Sequence, residues 1–194
     1  MIRLLVIRHA PTEWTLAGRL QGRSDTALAP EAADYLAAIS LPPPFDQAPC
    51  YASPLRRAME TARRLGRNPI AEDSLIEMDW GAWEGLSFEE ASARLDPSKR
   101  HFGLDYAAPG GESPRDVQNR LMPFLNRLDS FSDDALAVSH KGVIRALYAL
   151  AVGWTMESKP PDKLDFKAGQ MFAFDPRDGL RLKRLNVALN GRPA

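Results

Sequence analysis

Two of the three histidines in the sequence come directly after apolar runs that are typical of buried strands. The run that ends at Arg8 leads into His9, and the run from Ala135 to Ser139 leads into His140. Parallel strands that pair with each other end at the same edge of a sheet, so these runs would bring two imidazoles together. One histidine at a strand end is most often a hydrogen-bonded turn residue. Two of them, one beside an arginine, favour a functional pair.

The neighbours of these histidines favour an anion over a metal ion. Zinc would need a third ligand, usually from a carboxylate or cysteine at regular spacing, and neither histidine has one. Arg8 repels a metal cation, whereas its guanidinium fork matches the oxygens of a phosphate. Arg56 and Arg57 lie in the first turn of a predicted helix, where the helix dipole also attracts negative charge. The residue types therefore predict a phosphate site.

Strands and helices alternate along the chain in the way that builds an α/β domain. Apolar runs predict strands over 2–7, 50–53 and 135–139, and each is followed by a helical pattern. The predicted helices cover 29–39, 54–65 and 142–152, with Ser53 as the cap of the second. These elements predict a three-layer αβα sandwich with a mostly parallel central sheet. Ligand sites in such sheets lie at the carboxyl ends of the strands, where His9 and His140 are expected.

The rest of the sequence adds a helix, a hairpin and a segment of different character. Ser113 with Asp116 three residues later indicates a helix start, and Pro123 predicts a kink in that helix rather than a break. Apolar runs on either side of residues 176–179 predict a C-terminal hairpin. Residues 68–112 are rich in tryptophan and glycine and predict loop and short helix over a sheet edge. We expect a single domain over 1–194, with 68–112 as an insertion that covers the substrate.

Length and composition exclude several classes of protein. The 194 residues suffice for one domain with a sizeable core, and 25 basic side chains balance 25 acidic ones, so bulk charge does not favour nucleic acid. No apolar run approaches the roughly 18 residues of a membrane span, and the first run is too short for a secretory signal. The one cysteine, Cys50, excludes an internal disulfide and favours a reducing compartment. We therefore expect a cytoplasmic protein that binds neither nucleic acid nor membrane.

Four motifs, in order along the chain, resemble those of the histidine phosphatase (phosphoglycerate mutase-like) superfamily. The first resembles the family's Arg-His-Gly opening and the Trp-Asn that follows it, and the third contains Trp83-Glu84-Gly85, a form that resembles the phosphatase branch. Together the motifs cover most of the chain. They read Arg8-His9-Ala10-Pro11-Thr12-Glu13-Trp14-Thr15, Ser53-Pro54-Leu55-Arg56-Arg57-Ala58-Met59-Glu60-Thr61-Ala62, Leu75-Ile76-Glu77-Met78-Asp79-Trp80-Gly81 with the residues up to Leu86, and Ser139-His140-Lys141-Gly142-Val143-Ile144-Arg145.

The resemblance implies a fold of the phosphoglycerate mutase type and a chemistry that needs no metal and no cofactor. His9 would attack phosphorus and form a phosphohistidine, which divides one difficult displacement into two easier ones. Arg8, Arg57 and His140 would surround the phosphoryl oxygens. Glu77 would protonate the leaving oxygen and then activate water, with Glu13 and Glu84 as the nearest rivals for that role.

Five further residues are expected to contact the substrate or shape its loop. Thr15 stands where the family has asparagine, and Lys141 stands at a helix start where a small residue is common. A cation is unfavourable at a helix N-terminus unless an anion is bound there, so we expect Lys141 to contact phosphate or substrate. The five residues are Thr15, Arg19, Gln21, Gly22 and Lys141.

Three functions are compatible with these residues. Hydrolysis of a small phosphomonoester is favoured by the form of the third motif and by the short chain. Phosphoryl transfer between positions of a phosphoglycerate is the alternative, since mutases use the same nucleophile. A module that binds a phosphorylated ligand without turnover is the third, although binding alone would need neither His9 nor Glu77. The expected partner is a small phosphorylated metabolite, and the sequence leaves the oligomeric state open.

Overall fold

A six-stranded sheet forms the centre of the chain in the computed structural model, which describes residues 1–94, 103–128 and 134–189. From one edge to the other its order is β3-β2-β4-β1-β5-β6, and three of the five pairings between these strands are parallel. The predicted mostly parallel sheet is confirmed. The strands are β1 (Ile2–Arg8), β2 (Cys50–Ala52), β3 (Ile70–Ala71), β4 (Asp134–Ser139), β5 (Gly169–Asp175) and β6 (Gly179–Val187).

The parallel pairing of β1 with β4 determines where the site lies. Its register places Arg8 opposite Ser139, the last residues of the two strands. The backbone N–H of His9 then donates to the carbonyl of Ser139 at 2.9 Å. His9 and His140 therefore leave the sheet side by side, as the strand patterns predict.

Helices cover both faces of the sheet because successive residues of a strand point to opposite sides. Leu4 and Val6 face a core cluster built largely from α5 and α6, whereas Leu5 and Ile7 face a second cluster that includes α3. The three-layer αβα sandwich is confirmed. The helices are α1 (Glu13–Leu16), α2 (Ala32–Ala37), α3 (Arg56–Arg64), α4 (Phe88–Ala93), α5 (Pro114–Leu128) and α6 (Lys141–Val152).

Helices α2 and α3 differ from the sequence prediction at their ends. Leu55, not Ser53, is the N-cap of α3, and the Ser53 hydroxyl accepts only from the N–H of Leu55 at 3.3 Å. Ser53 instead continues the line of β2, where its N–H donates to the carbonyl of Val138. The second helix is shorter at both ends than the predicted 29–39.

The helix predicted to start near Ser113 and the C-terminal hairpin are both present. Helix α5 runs across Pro123 without a break, and Ser113 and Asp116 bond reciprocally at its start, each backbone N–H donating to the other side chain. The predicted hairpin is present as β5 and β6. No helix in the described part of the chain is long and apolar enough to cross a membrane.

The described part of the segment 68–112, predicted as loop and short helix, contains only short elements. It holds the short strand β3, helix α4 and two 3₁₀ turns at Asp73–Leu75 and Gly81–Trp83. Trp83, Ala91 and Ala108 form a small cluster of their own, separate from the two clusters on the sheet. Residues 95–102, including the third histidine, His101, lie outside the described residues.

Candidate active site

A cavity of about 540 Å³ opens beside His9, at the carboxyl ends of β1 and β4. Arg8, His9 and the first residues of α6 line it from the sheet side. Described residues of the segment 68–112 also line the cavity, and four of them are aromatic. The contributions of this segment include Glu77, Met78, Trp80, Trp83, Phe88, Ala91, Tyr106 and Ala108.

His9 is 5% exposed, and one backbone hydrogen bond fixes its ring. Nδ1 lies 2.7 Å from the carbonyl oxygen of Ala10, so the Nδ1–H donates and the lone pair is left on Nε2. Burial holds the pKa of His9 well below its usual range, and the charges of Arg8 and Arg57 lower it further. A neutral imidazole with a free Nε2 is the form that can act as a nucleophile.

His140 is completely buried beside His9. The two ring centroids are 5.1 Å apart and the ring planes are inclined at 55°. Burial lowers the pKa of His140 far below its usual range, and the charges of His9 and Arg57 add to that effect. Neither ring nitrogen of His140 makes a hydrogen bond to any described residue.

Arg57 carries its guanidinium into the interior, with 0% of the residue exposed. Nη1 donates to the carbonyl of Ser24 at 2.8 Å and Nη2 to the carbonyl of Gly22 at 2.6 Å, while Nε has no partner among the described residues. Since an arginine has five N–H donors, three stay available to an acceptor. The charge of Arg57 acts on both His9 and Glu77, which places it within the site.

Arg8 is the second cation of the site and lines the cavity itself. Burial lowers its pKa and the charge of Glu77 raises it, but a guanidinium stays protonated in either case. Its Nε is buried without a hydrogen-bond partner in the described chain. Arg8, Arg57 and His140 thus carry nitrogen atoms that have no hydrogen-bond partner among the described residues, and all three lie near His9. Such unpartnered donors are expected of an anion pocket.

Arg57 is held by the loop that contains Gly22 and Ser24, and Glu84 holds this loop in place. The carboxylate of Glu84 accepts from the backbone N–H groups of Arg23 and Ser24 and from the Ser24 hydroxyl. A Cβ added at Gly22 would overlap the same carboxylate, so only glycine fits there. Gly22, predicted to contact substrate, lies outside the cavity lining and acts on the site through its carbonyl bond to Arg57.

Glu77 is 5% exposed and lies against the start of α6. Oε1 accepts from the N–H of Met78 at 2.8 Å, and Oε2 accepts from the N–H of Gly142 at 3.1 Å. Burial raises the pKa of Glu77, and this outweighs the two N–H donors and the charges of Arg57 and Arg8, which act in the opposite direction. Its carboxyl therefore keeps a proton to a higher pH than a carboxyl in water.

The two rivals of Glu77 are placed elsewhere. Glu13 is exposed on α1, and Glu84 is engaged with the loop below Arg57. Neither lines the cavity, whereas Glu77 does. Of the three carboxyls, Glu77 alone is in a position to exchange a proton with a ligand beside His9.

Arg120 holds the segment that carries Glu77, and the sequence pattern does not single it out. Its Nη1 donates to the carbonyl of Ser74, and its Nη2 donates to the carbonyl of Ile76 at 2.7 Å. Its Nε donates to Glu112 at 3.2 Å. The backbone on the N-terminal side of Glu77 is therefore anchored to α5.

Gly142 is a second position whose importance appears only in three dimensions. A Cβ added there would overlap Oε1 of Glu77 and lie 3.2 Å from its Cδ. The carboxyl can approach the first turn of α6 only because residue 142 has no side chain. The fourth motif includes Gly142, but the sequence does not show why a glycine is required there.

Thr15 and Gln21 line the cavity, but hydrogen bonds hold both side chains. The Thr15 hydroxyl donates to the carbonyl of Thr12 at 2.8 Å and accepts from its N–H at 2.7 Å, which caps α1. Gln21 accepts from the Thr12 hydroxyl at 2.8 Å and donates to Thr26. In this arrangement the one hydroxyl proton of Thr15 is committed to the backbone.

Arg19 and Lys141 also line the cavity and are more exposed. Arg19 donates through Nη1 to the carbonyl of Gly85 at 2.7 Å. The Lys141 ammonium lies 5.4 Å from the centroid of the Phe166 ring, and burial lowers its pKa from the usual range. Of the ten predicted site residues, seven line the cavity, and His140, Arg57 and Gly22 do not. The seven are Arg8, His9, Thr15, Arg19, Gln21, Glu77 and Lys141.

The assembled groups have the parts needed for phosphoryl chemistry. A neutral histidine offers Nε2, buried cations and His140 offer donors, and a buried carboxyl with a raised pKa offers a proton. Among the described residues, no group of three or more histidine, cysteine, aspartate or glutamate side chains is placed to hold a metal ion.

Comparison with known proteins agrees with this arrangement. A sequence profile described as the histidine phosphatase superfamily (branch 1) matches residues 4–187. A solved mycobacterial glucosyl-3-phosphoglycerate phosphatase, in complex with VO3, superposes with a TM-score of 0.82 at 26% identity, covering 97% of this chain and 100% of the other.

Curated relatives include both phosphatases and mutases. Phosphoserine phosphatase 1 of Hydrogenobacter thermophilus is 33% identical over 165 residues, which are 79% of this chain and 77% of that protein. A 2,3-bisphosphoglycerate-dependent phosphoglycerate mutase of Azorhizobium caulinodans is 34% identical over 169 residues, 76% of this chain and 80% of the other. A bifunctional protein of Mycobacterium tuberculosis is 36% identical over 165 residues, but the match covers 77% of this chain and only 44% of that longer protein.

The buried histidines predict a pH dependence of stability. His9 and His140 stay neutral in the folded chain below pH 6.5, whereas in the unfolded chain they take up protons near that pH. The unfolded state then binds more protons, so the free energy of unfolding should fall as the pH drops from 6.5 to 5. The slope should approach about 1.4 kcal/mol per pH unit for each histidine.

Urea unfolding at pH 7.5, 6.5 and 5.5 measures this slope. A His9→Asn, His140→Asn double variant should show a clearly smaller slope over the same interval. An equal slope in the variant and the wild type would contradict the assignment of the pH dependence to these two side chains.

Proposed function

Since the chain belongs to the histidine phosphatase superfamily (branch 1), we propose that it is a phosphatase that hydrolyses a small phosphomonoester. The observation that carries this proposal is the set of buried N–H donors around the free Nε2 of His9. Donors of Arg8, Arg57 and His140 have no acceptor among the described residues, and a phosphoryl group offers three oxygens to them. Donors fixed in advance stabilise the charge of the transition state without reorganising.

In the first step, Nε2 of His9 attacks phosphorus in line with the ester oxygen. The N–P bond forms as the P–O bond breaks, which gives a phosphohistidine and an alcohol. The Nδ1–H bond to Ala10 holds the ring in the reactive tautomer and disperses the positive charge that develops on it. Arg8, Arg57 and His140 bind the three transferring oxygens, so the arginines supply the positive charge that a metal ion supplies in other phosphatases.

Glu77 gives its proton to the leaving ester oxygen. Its raised pKa keeps it protonated at a higher pH than an ordinary glutamate, and its place on the cavity wall gives it access to that oxygen. In the second step the resulting carboxylate accepts a proton from water, which attacks phosphorus. The N–P bond breaks, inorganic phosphate leaves, and His9 and Glu77 return to their starting forms.

The substrate is a small phosphorylated metabolite in this proposal. The cavity of about 540 Å³ has the size of a small-molecule site. Described residues of the segment 68–112 supply four aromatic side chains to its wall, which supports the role of that segment as a cover within one domain. Arg19, Gln21, Thr15 and Lys141 line the path to His9, and Gly22 acts by holding Arg57. We expect the enzyme in the cytoplasm, on the ground of its one cysteine, and no cofactor in the reaction.

Two other functions remain as alternatives to be tested. The mutase relative at 34% identity supports phosphoryl transfer between positions of a phosphoglycerate, which uses the same phosphohistidine. The phosphatase relatives and the Trp83-Glu84-Gly85 form of the motif support hydrolysis instead. A binding module without turnover is disfavoured because it would need neither the free Nε2 of His9 nor the proton of Glu77.

The nucleophile is tested with His9→Asn, which keeps the approximate size of the side chain and a donor toward Ala10. We expect hydrolysis of 4-nitrophenyl phosphate to fall at least about a thousandfold, since the variant has no attacking nitrogen. Alkaline quenching of a turnover with ³²P-labelled substrate should trap label on the wild-type chain and none on the variant. Equal rates in both would exclude the proposed intermediate, and no hydrolysis in either from pH 5 to 8 would favour the binding module.

Hydrolysis and transfer are separated with 3-phosphoglycerate, with and without added 2,3-bisphosphoglycerate. A phosphatase releases inorganic phosphate and glycerate in both mixtures. A mutase instead forms 2-phosphoglycerate, faster when the bisphosphate is present. Predominant formation of 2-phosphoglycerate would replace the proposed hydrolase by the mutase.

The placement of Glu77 is tested with Gly142→Ala. The new methyl group overlaps Oε1 of Glu77, so the carboxyl must move and turnover should fall at least about tenfold. Alanine is the better helix former by roughly 0.5 to 1 kcal/mol, so the loss of activity should come without a comparable loss of stability.

A double-mutant cycle gives this test its control. Glu77→Gln removes the acid and should lower turnover by about 10² to 10⁴. Gly142→Ala added to Glu77→Gln should cost little more than Glu77→Gln alone, because both changes act on one group. Fully multiplicative losses would show that residue 142 acts on catalysis by another route.

A further inference from the structure

A second group of cations lines the cavity outside the phosphoryl pocket. Lys141 and Arg145 are four residues apart on α6, so they lie on the same face, one above the other, separated by about 6 Å along the helix axis. Lys159 lines the cavity from the segment after α6. None of the three belongs to the set that surrounds His9.

These cations have no carboxylate partner in the described part of the chain. Within the described residues, both cations lie over aromatic faces, Lys141 over Phe166 at 5.4 Å and Arg145 over Trp154 at 5.1 Å. A ring face attracts a cation but accepts none of its N–H bonds in a defined geometry. The N–H donors of both side chains therefore stay available to a ligand.

The acids on the cavity wall are already engaged. Glu77 accepts from two backbone N–H groups, and Glu112 is bound by Arg23 at 2.9 Å and by Arg120 at 3.2 Å. Neither makes an ion pair with the cations on α6. At Lys141 the charge of Glu77 is outweighed by burial and by the charges of Arg8 and Arg145, so that the pKa of Lys141 is lowered. This part of the wall thus carries an excess of positive charge.

The surroundings make that charge costly without an anion. Arg145 is half-buried, with its guanidinium against the buried Trp154, and burial lowers the pKa of both Arg145 and Lys141. Two cations on one face of a helix, close to its N-terminus, also repel each other and the helix dipole. A bound anion would relieve both costs.

We propose that Lys141 and Arg145 form a second anion subsite, so that the substrate is a phosphomonoester with another anionic group, a carboxylate or a second phosphate. This rests on the proposed phosphatase function only for the phosphoryl group at His9. Arg145 is the residue that determines specificity, since its planar fork can bind either group bidentately. Lys141, directly after His140 in the chain, lies between the two anions and serves both.

The test compares matched ligands that differ by one anion. 3-Phosphoglycerate is compared with glycerol 3-phosphate, and 1,3-propanediol bisphosphate with its monophosphate, each as a competing ligand in 4-nitrophenyl phosphate hydrolysis. The inhibition constant is measured for the wild type, Arg145→Met, Arg145→Lys and Arg64→Met. Arg64, exposed on α3 and outside the cavity, is the matched control.

In at least one pair, we expect the wild type to bind the member with the second anionic group about tenfold more tightly or better. Arg145→Met should reduce that ratio about fivefold or more, Arg145→Lys should restore part of it, and Arg64→Met should leave it at the wild-type value. The pair that shows the preference identifies the group as carboxylate or phosphate. Because the ratio compares two ligands on the same variant, a general loss of activity or folding does not imitate it.

Ratios near one for both pairs in the wild type, or a ratio unchanged in Arg145→Met, would overturn the second subsite while leaving the phosphatase in place. Absence of 4-nitrophenyl phosphate hydrolysis would instead count against the proposed function. In that case the dissociation constants of the same ligands are measured by calorimetry, and the same ratios decide for or against the subsite.

Discussion

The guanidinium of Arg57 lies in the interior of the chain without a carboxylate in hydrogen-bond contact, and the rest of the site is arranged around that charge. A buried cation is costly unless polar atoms surround it, and here two backbone carbonyls do so. Those carbonyls belong to Gly22 and Ser24, whose loop is held by Glu84. From its other side, the Thr61 hydroxyl donates to the carbonyl of Arg57 and accepts from the N–H after His9. The cation and the nucleophile are thus fixed by one continuous set of bonds.

The charges of Arg8 and Arg57 lower the pKa of both His9 and Glu77. The net shifts nevertheless have opposite signs, because the pKa of His9 is lowered and that of Glu77 is raised. Arg8 and Arg57 add to burial in lowering the pKa of His9, which keeps Nε2 unprotonated. For Glu77 the same charges oppose burial, and burial is the larger effect, so its pKa rises. A base that loses its proton easily and an acid that keeps it can then coexist at one pH, which is what nucleophilic attack with protonation of the leaving group requires.

The parts of this site that the sequence predicts are those encoded locally. The apolar runs of β1 and β4 each end at a histidine. These histidines meet once the two strands pair in parallel, and such pairing is expected in an alternating α/β chain. The roles of Glu84 and Gly142 escape prediction because their partners lie 60 or more positions away along the chain. A glycine that leaves space for a carboxyl also has no recognisable sequence pattern. Arg120 escapes prediction as well, because the carbonyls that it binds, of Ser74 and Ile76, lie 46 and 44 positions away. The sequence predicts the start of α3 two residues too early, because Ser53 pairs with β4 through its backbone and does not cap the helix.

In the proposed reaction, the position of Glu77 at the start of α6 would link ligand binding to the protonation of the leaving group. Its Oε2 accepts from the N–H of Gly142 in the first turn, where the helix dipole favours an ionised carboxyl, and burial opposes that ionisation. The protonation state of the free site is therefore set by two opposed effects. A phosphoryl dianion bound among Arg8, Arg57 and His140 adds negative charge beside Glu77 and neutralises the cations that had stabilised its ionised form. In the proposed reaction both changes would raise the pKa of Glu77 further, so that the carboxyl would hold its proton most firmly with the ester bound, which is the stage at which the leaving oxygen requires it.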